Sequence, residues 1–143
     1  MDTTQIQRIE ESFRALAPRG PELVERFYAL LFSRFPAVRP LFPAQMQAQK
    51  DKLLASIGLV VKSLRNPDGL KQTLLGLGAR HAQYGAQEAH YPAVRDTLLD
   101  VMSEMAGSLW TPQLKQDWTD ALNWVANVMI EGQRAAAAQP ANN

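Results

Sequence analysis

The chain has 143 residues, of which 46% are hydrophobic and 20% are charged, with a formal net charge of +1 and no cysteine. This composition is typical of one globular domain and excludes disulfides, thiolate metal sites and cysteine nucleophiles. The balanced charge argues against nucleic acid as a partner. A polar N-terminal sequence and the lack of a long apolar run predict a cytoplasmic protein without a membrane segment.

The first two predicted helices come from apolar residues spaced three and four apart. The first covers about residues 4–16, with Thr4 and Gln7 in a capping-box pattern at its start. Pro21 suits the first turn of a second helix, because a missing N–H costs little there. The apolar side of that second helix carries Val24, Phe27, Tyr28, Leu31 and Phe35. A short irregular turn follows and ends in Leu41-Phe42-Pro43.

Two further helices are predicted before residue 90. The first spans about 47–65, and Gly58 within it is expected to let another helix approach closely. Asp68 is a ready N-cap for the next helix, which runs to about Tyr84 and is terminated by Gly85. One face of this helix carries Leu70, Leu74, Leu77 and His81.

Two C-terminal helices complete the predicted elements. One opens at His90-Tyr91-Pro92, and the other has Thr111 as its N-cap and Pro112 at its first position. The alanine-rich end of the chain reads as a frayed tail. We therefore expect one all-α domain over residues 1–134 and a disordered tail over 135–143. A non-bundle α fold around a pocket fits this pattern as well as an antiparallel bundle does.

His81 is the first candidate for chemistry. A neutral imidazole on an apolar face needs a partner for its lone pair, so it can ligate a metal. The alternative is a core histidine that is satisfied by a backbone carbonyl. No second histidine, cysteine or carboxylate nearby completes a zinc site. A metal at His81 would therefore have to bring other ligands with it, as a porphyrin does.

Three more polar side chains are candidates for a binding site. Tyr28 could donate its hydroxyl hydrogen to a bound anion or dioxygen, or it could keep its ring in the core and its tip in water. Gln49 shares a helix face with Leu53 and could donate to a ligand, or it could be an ordinary solvated helix start. Tyr91 could orient His81 from behind, or simply pack.

Several short motifs follow one another in a definite order along the chain. They are Phe27-Tyr28, Pro36, Leu41-Phe42, Gln49 with Leu53, Leu77-Gly78-Ala79-Arg80-His81, His90-Tyr91 and Ala126-Asn127-Val128. Together they resemble the globin domain of flavohaemoglobins and their single-domain bacterial relatives, over about residues 4–134. The resemblance implies a three-over-three globin fold with a noncovalent haem b.

The resemblance also implies roles for the residues that would hold iron and gas. By position, His81 would be the proximal iron ligand. Tyr28 would be the main distal hydrogen-bond donor to a bound ligand, with Gln49 assisting, and Leu53 would close the distal pocket sterically. The other implied contacts with the haem come from Phe42, which would pack against the porphyrin, from Tyr91 on the proximal side, and from Lys52 or Arg80 at a propionate.

Two departures from the flavohaemoglobin pattern bear on activity. Flavohaemoglobins carry a C-terminal reductase domain, and this chain ends before one begins, so electrons are expected from an external reductase. In that family a glutamate near the end of the last helix bonds with the proximal histidine, whereas Gln133 falls at the matching position here. Glu131 points about 200° away around the helix and does not substitute. A missing carboxylate would reduce electron donation to the iron.

The leading functional expectation is reversible binding of oxygen, or of nitric oxide or carbon monoxide, by a monomer or weak homodimer. The alternative is a nitric oxide dioxygenase that relies on a separate reductase. A third interpretation is a globin-like fold without haem, whose pocket takes another ligand or serves signalling contacts.

Overall fold

The computed structural model describes residues 1–138 of the chain. Its six helices are α1 Thr3–Leu16, α2 Gly20–Arg34, α3 Gln47–Ser63, α4 Pro67–Gln83, α5 His90–Ala106 and α6 Pro112–Ala138. Short 3-10 turns cover Ala17–Arg19, Pro36–Leu41 and Gly107–Leu109. Since residues 1–138 contain no strand, the all-α prediction is confirmed. No helix in this range is long and apolar enough to cross a membrane.

The N-caps of the helices were only partly predictable. Asp2, not Thr4, caps α1, because Asp2 has the extended backbone that a cap needs, whereas Thr4 already lies inside the helix. Asn66, not Asp68, caps α4, because the Asn66 side chain accepts from the Gly69 N–H and Asp68 already lies in the first turn. Thr111 caps α6 as predicted, accepting a hydrogen bond of 3.0 Å from a backbone N–H.

The end of α6 lies beyond the predicted one. The helix continues through four alanines to Ala138, so the boundary between helix and tail at residue 134 was placed too early. Alanine has the highest helix propensity, and the run extends the helix instead of fraying it. The prediction of a disordered tail is therefore wrong for residues 135–138. Residues 139–143 lie outside the described residues.

Buried polar contacts fix α6 against α1. The indole Nε1 of Trp118 donates to the Ser12 hydroxyl at 2.9 Å, and that hydroxyl donates to the Ile9 carbonyl at 2.8 Å. Next to it, the fully buried carboxylate of Asp117 accepts two hydrogen bonds from Arg8. The Arg8 guanidinium holds the pKa of Asp117 below its usual value. Because these groups are satisfied only in one register, they specify how the two helices align.

The closest helix crossing joins α4 to α6. A Cβ atom on Gly78 would overlap the Met129 carbonyl, and one on Gly132 would overlap the Leu75 carbonyl. Both overlaps are with backbone atoms, which cannot rotate away as a side chain can. The crossing fixes the helix that carries His81 against the end of α6.

The prediction of a close helix approach at Gly58 is wrong. The variants Gly78→Ala and Gly58→Ala test how the two glycines differ in the space around them. A Cβ on Gly58 would meet only the Phe13 ring, at 3.9 Å. We expect Gly78→Ala to lower the free energy of unfolding by about 1–3 kcal/mol, as overpacking does. Gly58→Ala should raise it by up to about 1 kcal/mol through helix propensity. Urea denaturation of both variants measures this, and effects of the same sign would contradict the assignment.

Candidate functional site

Tyr28 on α2 and Gln49 on α3 form one hydrogen-bonded pair. The Gln49 side-chain Nε2 donates to the Tyr28 hydroxyl at 3.1 Å. Tyr28 is only 4% exposed, and burial raises the pKa of its phenol, although the Gln49 hydrogen bond opposes the shift. The phenol therefore stays protonated at neutral pH. Because its oxygen accepts from Gln49, its own hydrogen remains available to a further acceptor.

An aromatic cluster holds the ring of Tyr28 in place. Its centroid lies 5.0 Å from that of Phe27 and 5.6 Å from that of Phe42, both in edge-on geometry. Phe32 completes the cluster, with its centroid 5.3 Å from that of Phe42. Such pairs favour edge-on packing at these separations. Phe42 is half-buried and so keeps part of its apolar surface uncovered.

An ion pair next to Gln49 ties the start of α3 to α2. The Lys50 ammonium contacts the Glu25 carboxylate at 2.5 Å, and the N-cap residue Met46 provides no side-chain hydrogen bond of its own. Glu25 and Tyr28 lie about one turn apart on α2, so they face the two consecutive residues of α3. The sequence alone gave no sign of this contact, because it depends on how the two helices cross.

His81 lies in the last turn of α4, with its Nδ1 atom 2.8 Å from the Leu77 carbonyl oxygen. A carbonyl can only accept, so Nδ1 carries the hydrogen and Nε2 keeps a lone pair for a ligand. Burial lowers the pKa of His81, the Leu77 carbonyl opposes this, and the Arg80 charge adds to it. The imidazole is therefore neutral at pH 7 and suited to ligate a metal.

Tyr91, Gln133 and Ala86 form a hydrogen-bond circuit with His81. The Tyr91 hydroxyl donates to the Gln133 side-chain oxygen at 2.7 Å, and the Gln133 amide donates to the Ala86 carbonyl. The Ala86 N–H donates to the His81 carbonyl at 3.1 Å. The circuit thus reaches the backbone of His81, and the Tyr91 ring lies beside the imidazole, with the two centroids 6.5 Å apart. Burial raises the pKa of Tyr91, so its hydroxyl remains a donor.

The turn after α2 lies against the loop after His81. The Cδ2 atom of Leu41 is 3.4 Å from the position that a Cβ on Gly85 would occupy. Gly85 has a φ of 85°, which favours glycine, and it terminates α4 as predicted. The segment that leads to Phe42 and the segment that follows His81 therefore meet at one end of the molecule.

The remaining predicted haem contacts are less well defined. Leu53 is half-buried and packs against the core. Lys52 and Arg80 are exposed, and the Arg80 guanidinium lies near Gly76 of its own helix. Their assignment to a propionate stays a prediction. Ala86 was missed by sequence reasoning, because its role comes from its backbone carbonyl and no side-chain pattern marks it.

A family model described as Globin matches residues 25–129 of the chain. The chain belongs to the globin family. It is 26% identical over 140 residues to an anaerobic nitrite reductase of rice, Oryza sativa subsp. indica, covering 94% of this chain and 97% of the relative. It is 27% identical over 133 residues to a flavohemoprotein of Vibrio cholerae, covering 91% of this globin and 34% of that relative.

Structural comparison agrees with the family assignment. An engineered carbene transferase from Rhodothermus marinus, described as a candidate nitric oxide dioxygenase, has a TM-score of 0.87 and 28% identity, with 96% of each chain covered. The predicted globin fold is thus confirmed. This globin spans about a third of the length of the Vibrio flavohemoprotein, so that relative as a whole extends well beyond the matched region.

The residues of this globin fit a haem, the cofactor that family membership supports. His81 offers one neutral nitrogen, and within residues 1–138 no three His, Cys, Asp or Glu side chains come together to hold a metal ion. An iron ligated by His81 would therefore need its other ligands from a macrocycle. The half-buried apolar side chains of Phe42, Leu53 and Tyr91 provide suitable packing surface for a porphyrin.

Proposed function

We propose that this globin holds haem b through His81 and reversibly binds oxygen or another small diatomic gas on the side of Tyr28. The observation that carries the proposal is the hydrogen bond from Gln49 to the Tyr28 hydroxyl. It leaves a phenolic hydrogen, in a buried apolar setting, that can be donated to the partly negative end of a gas molecule.

In this proposal, separate residues hold the haem and contact the bound gas. When bound, haem supplies the iron on which a diatomic gas is held. His81 presents Nε2 because its Nδ1–H is held by the Leu77 carbonyl. Phe42 and Leu53 provide apolar surface and exclude water, which strengthens hydrogen bonds from Tyr28.

Haem reconstitution followed by an oxygen cycle tests the proposal. We expect stoichiometric haem uptake, and a ferrous spectrum that changes on adding oxygen and returns when oxygen is removed. Pyridine extraction of the cofactor should give the spectrum of haem b. Failure to take up haem, or immediate oxidation to the ferric form with no recoverable ferrous protein, would overturn the proposal.

A nitric oxide dioxygenase that uses a separate reductase is the second candidate. The Rhodothermus relative, described as a candidate for that activity, favours it. Gln133 argues against it, because the circuit around His81 contains no carboxylate to increase electron donation. Sustained nitric oxide turnover with an added reductase would favour the enzyme, whereas a single stoichiometric reaction would favour gas binding. The cytoplasmic location and the oligomeric state stay predictions.

Gln133→Glu tests how the proximal circuit acts on the iron. The change adds a negative charge behind His81 and removes the donor to the Ala86 carbonyl. A negative charge favours the ferric state, so we expect the reduction potential to fall by about 30–60 mV, using 59 mV per tenfold change for one electron. Gln87→Glu adds the same charge at an exposed residue in the loop between α4 and α5, and it should leave the reduction potential nearly unchanged. Spectroelectrochemical titration measures both, and equal shifts would contradict a specific role for Gln133.

A further inference from the structure

A cavity lies between the start of α5 and the middle of α6, and Tyr28 is not among its lining residues. Its volume is about 180 Å³. Two bridges cross from α5 to α6 along it: Arg95 Nη1 donates to the Asn123 side-chain oxygen at 2.9 Å, and the Tyr91 hydroxyl donates to Gln133. Between the bridges, Ala126 and Ile130 of α6 supply an apolar wall.

Arg95 brings a guanidinium to this cavity, and its charge is paired with the exposed Asp96 carboxylate at 2.9 Å. Its Nε donates to Asp96 and its Nη1 to Asn123, while Nη2 has no hydrogen-bond partner in the part of the chain that the structure describes. The Arg95 side chain is 28% exposed, so it is partly removed from water. The Nη2 group is left to donate a charge-assisted hydrogen bond to a carboxylate oxygen.

The other polar groups of the cavity are compatible with an anion. The Asn123 oxygen is already taken by Arg95, so the Asn123 amide nitrogen remains as a donor, and Asn127 lies one turn further along α6. Glu88 is the acidic residue at the cavity, and Arg134 neutralises it with two hydrogen bonds of 2.6 and 2.7 Å. The first turn of α5 also contributes the positive end of a helix dipole.

We propose that this cavity binds a small monocarboxylate with a short apolar body. The carboxylate would pair with Arg95 and the asparagine amides, and the apolar body would lie against the Tyr91 ring and Ile130. A volume of about 180 Å³ is large enough to admit an acid the size of propionate.

Occupancy of the cavity is expected to act on the proximal side of the molecule, a consequence that rests on the proposed function. The Tyr91 ring forms one wall of the cavity, and its hydroxyl belongs to the circuit that holds the loop after His81. A ligand that favours one position of the Tyr91 ring would therefore act on His81 through this circuit. By linkage, a change at His81 would alter the affinity of the cavity for that ligand by the same factor.

The test is a propionate titration of the ferrous carbon monoxide complex, in which the iron is blocked to anions. The readout is the NMR signal of the Asn127 side-chain amide, which lines the cavity and is present in every variant. We expect saturable binding with a millimolar dissociation constant. Arg95→Met should weaken it at least tenfold, and so should Ala126→Met, which fills the cavity without touching either bridge.

The matched control is Arg65→Met, which removes the same charge from an exposed ion pair with Glu10 and should leave the affinity unchanged. Equal losses in Arg65→Met and Arg95→Met, or no saturation in the wild type, would overturn the site. Nitrate should bind several-fold more weakly than propionate, and equal affinity would overturn the assignment to carboxylates. An iron–histidine stretching band that propionate does not move in the deoxy ferrous protein would overturn the coupling to His81. The titration does not depend on Tyr28, so its failure is distinct from failure of the proposed gas site.

Discussion

His81→Ala is expected to abolish the absorption spectrum of a histidine-ligated haem. His81 offers a neutral Nε2, and His90 is the only other histidine in the chain. The His90 ring instead accepts a hydrogen bond from the Gln87 N–H at the start of α5. Its role is therefore to stabilise the loop before α5. Without the imidazole, haem would be retained only by apolar packing, and we expect the rate of haem loss to rise at least a hundredfold, equivalent to about 2.7 kcal/mol of lost ligation.

Two further variants make this result decisive. His90→Ala removes an imidazole of the same size and should leave the ferrous and carbon monoxide spectra unchanged. His81→Gly should behave like His81→Ala, and added imidazole should restore the spectrum by filling the vacated space. Transfer of haem to an acceptor apoprotein measures the loss rate. If His81→Ala kept the wild-type spectrum, the proximal assignment would be wrong whatever the fold.

The helices of this globin were predictable because each buries one apolar face with a period near 3.6 residues. The ends of these helices were less predictable. Asp2 and Thr4 are both good capping residues, and the choice depends on which of them adopts an extended backbone. The same limit explains Gly58: a glycine inside a helix has the same local signature whether a partner helix crosses it, as at Gly78, or only a ring lies near.

The candidate site was also only partly predictable from the sequence. The sequence placed Tyr28, Gln49 and His81 on apolar helix faces, and the spacing of Leu77 and His81 already matched the reach of an imidazole to a carbonyl one turn earlier. The hydrogen bond between Tyr28 and Gln49 could not be read from spacing, because it depends on the crossing of α2 and α3. The role of Ala86 depends on the path of a loop, and loop paths are not periodic.

Tyr28→Phe is expected to raise the oxygen dissociation rate about tenfold to a hundredfold. The variant keeps the ring and its edge-on contacts with Phe27 and Phe42, and it removes only the hydroxyl. A hydrogen bond to a charge-like acceptor in a dry pocket contributes about 1.5–3 kcal/mol, which sets the size of the effect. The association rate should change little, because the hydrogen bond stabilises the bound state.

Stopped-flow measurement of both rates, with two further variants, separates this role from packing. Tyr84→Phe removes a hydroxyl from a tyrosine that is 58% exposed and should change neither rate. Gln49→Leu removes the donor to Tyr28 but leaves the phenolic hydrogen, so its dissociation rate should lie between those of the wild type and Tyr28→Phe.

The pH dependence of the wild type gives an independent check. Deprotonation of Tyr28 would remove the donated hydrogen and raise the oxygen dissociation rate at alkaline pH. Because burial raises the pKa of this phenol above its usual value near 10, the rate should stay constant from pH 7 to about pH 9.5. A rate that climbs within that range in the wild type but not in Tyr28→Phe would show that the phenol ionises too early to be the donor. If the oxygen dissociation rate of Tyr28→Phe equalled that of the wild type at every pH, a different group would have to stabilise the ligand.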